Sequence, residues 1–172
     1  MNFNDIVTSK SIHSSDVIDG YDDLEAEREE LQEALDNAES DLEAARSDID
    51  DANDGRGDEI DEALLHALND AQATYDAAKL ELETWDGEVG EHLKLLEDAA
   101  DEVKSFEGWR GGFDLFNEAD FKDHARDHAE NLGIDICGWP YDSIDWDHAA
   151  NELIHDYSSI SIGNVTFYTM GD

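Results

Sequence analysis

His124 and His128 stand four residues apart, which puts both imidazoles on one face of a helix, with Asp120 and Asp127 close in sequence. Two nitrogens so placed can supply half of a zinc site. No HExxH run accompanies them, and His148 and His155 fall at no useful ligand spacing, so the pair reads as solvent-facing. Asp142, Asp145, Asp147 and Asp156 invite an acid/base or calcium reading. The central glycine and the twelfth-position glutamate of an EF-hand loop are missing, so helix capping and surface solvation fit them better. Cys137, the single cysteine, excludes an intrachain disulfide; with no basic neighbour to lower its pKa it reads as structural. Phosphate loop, nucleophile elbow and paired CxxC are all absent. The expectation is a protein with no catalytic residues, no metal and no cofactor. Trp109, Trp139 and Trp146 are assigned to the core, with one of them able to anchor a partner.

What remains as chemistry is charge. The 172 residues carry 47 acids against 10 Lys and Arg, a formal net charge of -37. Apolar residues still make up 40% of the chain, with 4 Trp, 5 Tyr and 6 Phe, so a core can form against the self-repulsion. Anionic lipid and nucleic acid would both be repelled by such a surface. No segment approaches the roughly 20 apolar residues of a membrane span, and residues 1–20 lack the basic start and apolar run of a signal peptide. These features predict a soluble, cytoplasmic protein whose partner is basic.

The elements that carry the charge are legible as heptads. In residues 22–53 one row is Leu24, Leu31, Ala38, Ala45 and Ala52, and its companion is Arg28, Leu35, Leu42 and Ile49. Together they form one apolar stripe uninterrupted by Gly or Pro. Gly55-Arg56-Gly57 breaks the pattern, and Asp58 is placed to cap the next helix. There the rows are Leu64, Ala71, Ala78, Trp85 and Leu68, Tyr75, Leu82, Val89, Leu96, Val103. Two long helices joined by about five residues should fold back on each other. Gly87 and Gly90 are expected to kink or break the second one. Leu65 and Leu80 lie off its stripe, so the segment 88–104 is expected to cover them.

After Gly108-Trp109-Arg110-Gly111-Gly112 the heptads stop. Asn117 can cap a helix running from Phe121 to Leu132 and ended by Gly133. Asp145 can cap another through Ala149, Ala150, Leu153, Ile154 and Tyr157. Alternating apolar residues around Gly163-Asn164 signal a β-hairpin. The expected fold is mainly α: a long antiparallel helical hairpin, a coiled coil, plus a small C-terminal α+β unit ending in a β-hairpin. The expected divisions are an N-terminal segment 1–21, an acidic helical hairpin with a third helical segment 22–107, and a small domain 108–172.

From Asp22 to Asp86 there are 24 acids and 4 bases, a net of -20. A 32-residue helix is about 48 Å long, so the hairpin carries roughly 0.4 negative charges per Å against roughly 0.6 for duplex DNA. Its girth, roughly 20 Å, is also near that of a duplex. Ordinary coiled-coil faces mix signs; this one does not. Carboxylates pointing away from the seam would occupy a DNA-binding groove: Glu29, Glu30, Glu33, Asp36, Glu43, Asp50 and Asp51 on the first helix, Asp61, Glu62, Asp76 and Glu83 on the second. Two other readings stand beside mimicry. One is adaptation to high salt, which also fits five lysines in all; the other is a plain acidic coiled coil acting as a structural or adaptor protein.

One stretch resembles a known family. Phe121, Ala125, Ala129, Gly133, then Ile144-Asp145-Trp146, Ala149-Ala150, Glu152-Leu153, Asp156-Tyr157 and the aromatic-ending hairpin resemble the tail of ArdA-type antirestriction proteins and related small acidic phage proteins. The resemblance covers less than a third of the chain; the hairpin of 22–104 is outside the family pattern, and the rest of an ArdA chain is missing. What it implies is a class: proteins of phages and mobile elements that mimic DNA and block host restriction–modification enzymes. The partner expected is thus the basic DNA groove of a host defence protein, a restriction–modification enzyme or a CRISPR effector, with a second copy of the chain as a further candidate.

Overall fold

A computed structural model describes residues 2–55, 61–134, 136–139 and 141–170. Among these residues the chain is mostly helical, with six α-helices and one four-stranded antiparallel sheet. It divides into two compact units, one of Met1–Asp22 with His92–Asp172, the other of Asp23–Glu91. The first division lies within one residue of the expected 21/22 boundary, and the second lies at 91/92 in place of 107/108, so the third helical segment groups with the sheet.

The N-terminal segment, assigned no structure from sequence, forms α1 (Phe3–Thr8) and β1 (Ser11–His13). Helix α2 then runs 42 residues, Ser14–Gly55. Its start is fixed by Asp16, whose carboxylate reaches back 2.8 Å to accept from the His13 backbone N–H, half of a capping box. The expected helix at 22–53 is thus the distal part of a longer one. The remaining helices are α3 (Glu62–Glu88), α4 (Gly90–Ser105), α5 (Phe121–Asn131) and α6 (Trp146–Leu153).

In the unit of Asp23–Glu91, the residues of α2 that escape full exposure are the two expected rows, Leu24 to Ala52 and Arg28 to Ile49, with Gln32 beside them. On α3 they are Leu64, Leu68, Ala71, Tyr75, Ala78, Leu82 and Trp85, again with a single glutamine, Gln72. Two polar contacts give the direction of pairing. Arg28 Nε donates to Asp86 Oδ1 at 2.8 Å, and Arg46 donates to Gln72 Oε1 at 3.1 Å, so α2 and α3 run antiparallel. The expected turn at Arg56-Gly57 and the cap at Asp58 lie outside the described residues. Asp61 caps α3, accepting from Ala63 N at 3.0 Å. α3 stops at Glu88 and α4 begins at Gly90, between the two glycines expected to break the helix.

Leu65 and Leu80 overturn one expectation: they are 43% and 64% exposed. The segment that was to cover them, α4, buries Leu96, Ala99, Ala100 and Val103 within the other unit. The row of sevens from Leu68 to Val103 is therefore shared between two units.

In the sheet unit the strand order is β1-β2-β4-β3, with β2 at Asp114–Asn117, β3 at Ser158–Ile162 and β4 at Val165–Thr169. Ile162 pairs with Val165 across the Gly163-Asn164 turn, and Gly163 takes the positive φ (61°) that a two-residue turn with a leading glycine requires. Alternation along β2 and β4 sends Leu115 and Phe167 to one face and Phe116 and Tyr168 to the other. Phe116 and Tyr168 pack on the cluster of Phe121, Ala125 and Ala150, so α5 and α6 cover that side. On α4, Glu102 accepts from the Ser161 N–H of β3 at 3.4 Å.

Local chemistry closes each junction. Asn117 is 7% exposed; its Oδ1 accepts from Ala119 N at 3.0 Å and its Nδ2 donates to Ser9 O at 3.2 Å, so it caps the 3-10 turn Glu118–Asp120 that leads into α5. α5 ends as expected at Gly133: Ile134 N donates to Ala129 O and Gly133 N to Glu130 O, the paired bonds of a Schellman motif. Asp145 caps α6 through His148 N at 3.1 Å. The α-helix stops at Leu153, and Ile154–Asp156 continue as a 3-10 turn.

Candidate functional site

The acidic surface of the hairpin unit follows from its heptads. Outside the two seam rows, every residue of α2 from Asp23 to Asn53 except Gln32 is exposed, and most of these positions are Asp, Glu, Ala or Ser. Glu29, Glu30, Glu33, Asp36, Glu43, Asp50 and Asp51 are all exposed, as are Asp61, Glu62, Asp76 and Glu83 on α3 or at its start. Glu29, Asp36, Glu43 and Asp50 form one row with about 10 Å between neighbours, since seven helical residues rise that far.

These carboxylates are not equivalent. Among the described residues, Glu83 alone of the eleven has a Lys or Arg at ion-pair distance, Lys79 at 3.9 Å. Asp36 accepts from Gln32 at 2.8 Å and Asp76 from Gln72 at 2.9 Å, bonds to neutral amides that leave the charge in place. Asp61 differs from the sequence reading. It lies seven residues before Leu68, in a seam row, and its carboxylate serves the N-terminus of α3. The two arginines described on this unit, Arg28 and Arg46, bond to Asp86 and Gln72 across the helix pair, and so leave the outer row of α2 without a counter-charge.

The two helices also differ in kind, which the sequence reading did not separate. α2 carries the dense row. α3 exposes Ala63, Leu65, Ala67, Ala73, Ala77 and Leu80 among fewer acids. Beside Leu80, a groove of about 480 Å³ opens between the two helices, with Leu31, Trp85 and Val89 in its lining. The exposed alanines and leucines at 63–80 were the signal in the sequence for this second kind of surface.

The histidines assigned to solvent are instead half-buried. His124 stacks on Phe116 with ring centroids 3.7 Å apart, and its Nε2 lies 2.8 Å from Tyr157 Oη. Burial is the larger cause that lowers the pKa of His124; nearby His128 adds to it, against the opposing pull of Asp127 and Asp114. Burial likewise raises the Tyr157 hydroxyl, with Asp156 adding. The His124 and His128 ring centroids are 6.1 Å apart. Among the described residues no three His, Cys, Asp or Glu side chains are grouped to hold a metal ion.

Of the aspartates weighed as a cluster, Asp145 caps α6, Asp147 pairs with Lys122 at 2.8 Å, and Asp142 and Asp156 are exposed. Lys10, just before β1, lies 2.8 Å from Asp123 and 3.3 Å from Asp120, which raises its pKa and lowers that of Asp123. Cys137 is exposed. So is Trp139, at 88%, because it sits in a non-helical segment after Gly138. Trp109 and Trp146 are half-buried, each with an arginine near its ring, Arg110 at 4.8 Å and Arg126 at 5.8 Å. Among the described residues no helix is long and apolar enough to cross a membrane. No family model, no curated protein and no solved structure matches this chain.

Proposed function

We propose that this protein is a DNA mimic of phage or mobile-element origin that inhibits a host DNA-binding defence enzyme by occupying its DNA groove. The observation that carries the reading is the outer face of α2, where seven of the exposed carboxylates from Glu29 to Asp51 (Glu29, Glu30, Glu33, Asp36, Glu43, Asp50 and Asp51) have no Lys or Arg partner among the described residues. Seven charges over 22 residues is roughly 0.2 per Å, against roughly 0.3 along one strand of a duplex. The seam rows support a coiled coil beneath that face, a rigid mount on which charges keep their spacing. The resemblance of the C-terminal third to antirestriction proteins points the same way, and a restriction–modification enzyme or a CRISPR effector would be the target. Attraction between the acidic rod and a basic groove makes association fast and dependent on salt.

The test reverses one face. Single contacts at such a rim are each worth about 1 kcal/mol or less, so single changes do little. A variant with Glu29, Glu33, Asp36 and Glu43 all changed to Lys should keep its helix content and lose its partner. DNA should compete with the unaltered protein for that partner. Equal binding by the reversed variant would sink the proposal. The rival is an acidic coiled-coil adaptor from a high-salt source, favoured by the scarcity of lysine; it binds through apolar surface and is indifferent to this reversal.

A further inference from the structure

The groove between α2 and α3 does not fit an outer surface that acts by charge alone. Its lining is apolar at Leu31, Leu80, Trp85 and Val89, and Leu80 stands 64% exposed. Trp85 is 8% exposed, and its indole N–H is buried without an acceptor among the described residues. Such an orphaned donor is uncommon in a finished core. Glu27, Glu81 and Glu88 stand on the rim, and none has a Lys or Arg at ion-pair distance among the described residues.

We propose that this groove is a docking site for an amphipathic helix of a partner protein, with an apolar stripe for the groove and Lys or Arg on both flanks for the rim. The charge of the rim selects the occupant. A second copy of this chain would bring further carboxylates against Glu27, Glu81 and Glu88, at a net charge of -37 per copy. A basic-flanked helix is attracted by the same residues and buries Leu80 and Leu31 in the manner of helix-in-groove recognition. The site goes beyond DNA mimicry and does not rest on it, because none of its residues belongs to the outer row of α2.

The probe is a synthetic peptide of about 18 residues with leucines at helical stripe spacing and lysines on either side. Its control has the same composition in permuted order, with no stripe. Both are titrated onto the full chain by fluorescence anisotropy at about 0.15 M salt. The striped peptide should bind at one per chain and at least about tenfold more tightly than the permuted one. Leu80→Glu should remove that advantage. The substitution adds a negative charge, so affinity that came from charge alone would hold or rise instead. Leu65→Glu, on the same helix but outside the groove, should leave binding unchanged, and circular dichroism checks that both variants fold. Failure of the striped peptide to bind, equal affinity for the two peptides, or binding that survives Leu80→Glu overturns the proposal. So does a dimer of the unaltered chain that Leu80→Glu dissociates, since the groove would then be filled by a second copy. Because Leu80→Glu leaves Glu29 to Asp51 untouched, this result and the charge-reversal result can fail separately.

Discussion

Arg28 and Asp86 meet at 2.8 Å although 58 residues separate them in sequence, and both side chains keep more than two-fifths of their surface in water. The pair records the antiparallel register of the hairpin without doing much to hold it. Exposed pairs of this kind contribute about 1 kcal/mol or less. Leu42, 3% exposed in the same seam, is the opposite case. Leu42→Asp places a charge in the apolar seam, at a cost of several kcal/mol, roughly 3 to 5. Arg28→Ala should therefore shift the unfolding midpoint slightly, and Leu42→Asp should abolish much of the helical signal at 222 nm. Similar effects from both would show that the ion pair, not the apolar rows, organises the hairpin.

Gly112 has a φ of 72° and sits where an added Cβ would overlap the His13 imidazole. Gly112→Ala should destabilise the sheet unit by about 1 to 2 kcal/mol from backbone conformation alone. His13 is exposed and can swing aside, so the steric part should be recoverable. Urea unfolding of Gly112→Ala with and without His13→Ala separates the two. If the double variant regains the full stability of His13→Ala, the backbone cost is absent.

How much of this was legible follows from where the pattern stayed local. The two rows of α2 and of α3 were readable because each seam residue is set by its neighbours three and four places away. The same rows continue one heptad back, to Val17 and Tyr21, and so mark the true start of α2; Gly20 between them obscures it. β1 is three residues long and exists because Ile12 pairs with Leu115, a partner about a hundred residues away that no local pattern announces. The end of α5 at Gly133 and the Gly163-Asn164 turn were legible because their bonds close within six residues. The difference between the two hairpin faces was legible only in the alanines and leucines at 63–80, which a single charge count from Asp22 to Asp86 passes over.

His124 links pH to stability. Its folded pKa lies below the ordinary histidine value of 6.5, so the folded state favours the neutral ring. Its contribution is present above about 6.5 and is lost as the pH falls from there toward the folded value, because the unfolded chain binds the proton first. Carboxylates titrate lower and act in both the unaltered protein and any variant. The readable quantity is therefore the difference between wild type and His124→Gln, measured by urea unfolding at pH 7.5 and 5.5. That difference should shrink at the lower pH. A difference that grows on acidification would mean that Asp127 and Asp114 outweigh burial at this ring.

The last prediction separates mimicry from adaptation to salt through stability alone. The hairpin segment from Asp22 to Asp86 carries a net of -20, so its own repulsion opposes the folded state. Salt screens that repulsion, with a Debye length of about 30 Å at 0.01 M and about 10 Å at 0.1 M. Both readings therefore expect the melting temperature to rise with salt; they differ in where folding begins. A mimic must be folded at the salt of a bacterial cytoplasm if it is to meet a DNA groove there, so the hairpin should already be helical near 0.1 M. The apolar rows from Leu24 to Ile49 and from Leu64 to Trp85 are then sufficient to overcome the charge. An adapted protein is helical only near molar salt. Changing Glu29, Glu33, Asp36 and Glu43 to Lys removes eight units of net negative charge and leaves the seam intact. It should raise the melting temperature at 0.01 M and change it little at 1 M. Thermal scans of both proteins across that range decide the matter. A wild-type chain that is unfolded at 0.1 M, and that the four substitutions rescue, would favour salt adaptation and remove the rigid mount that mimicry needs.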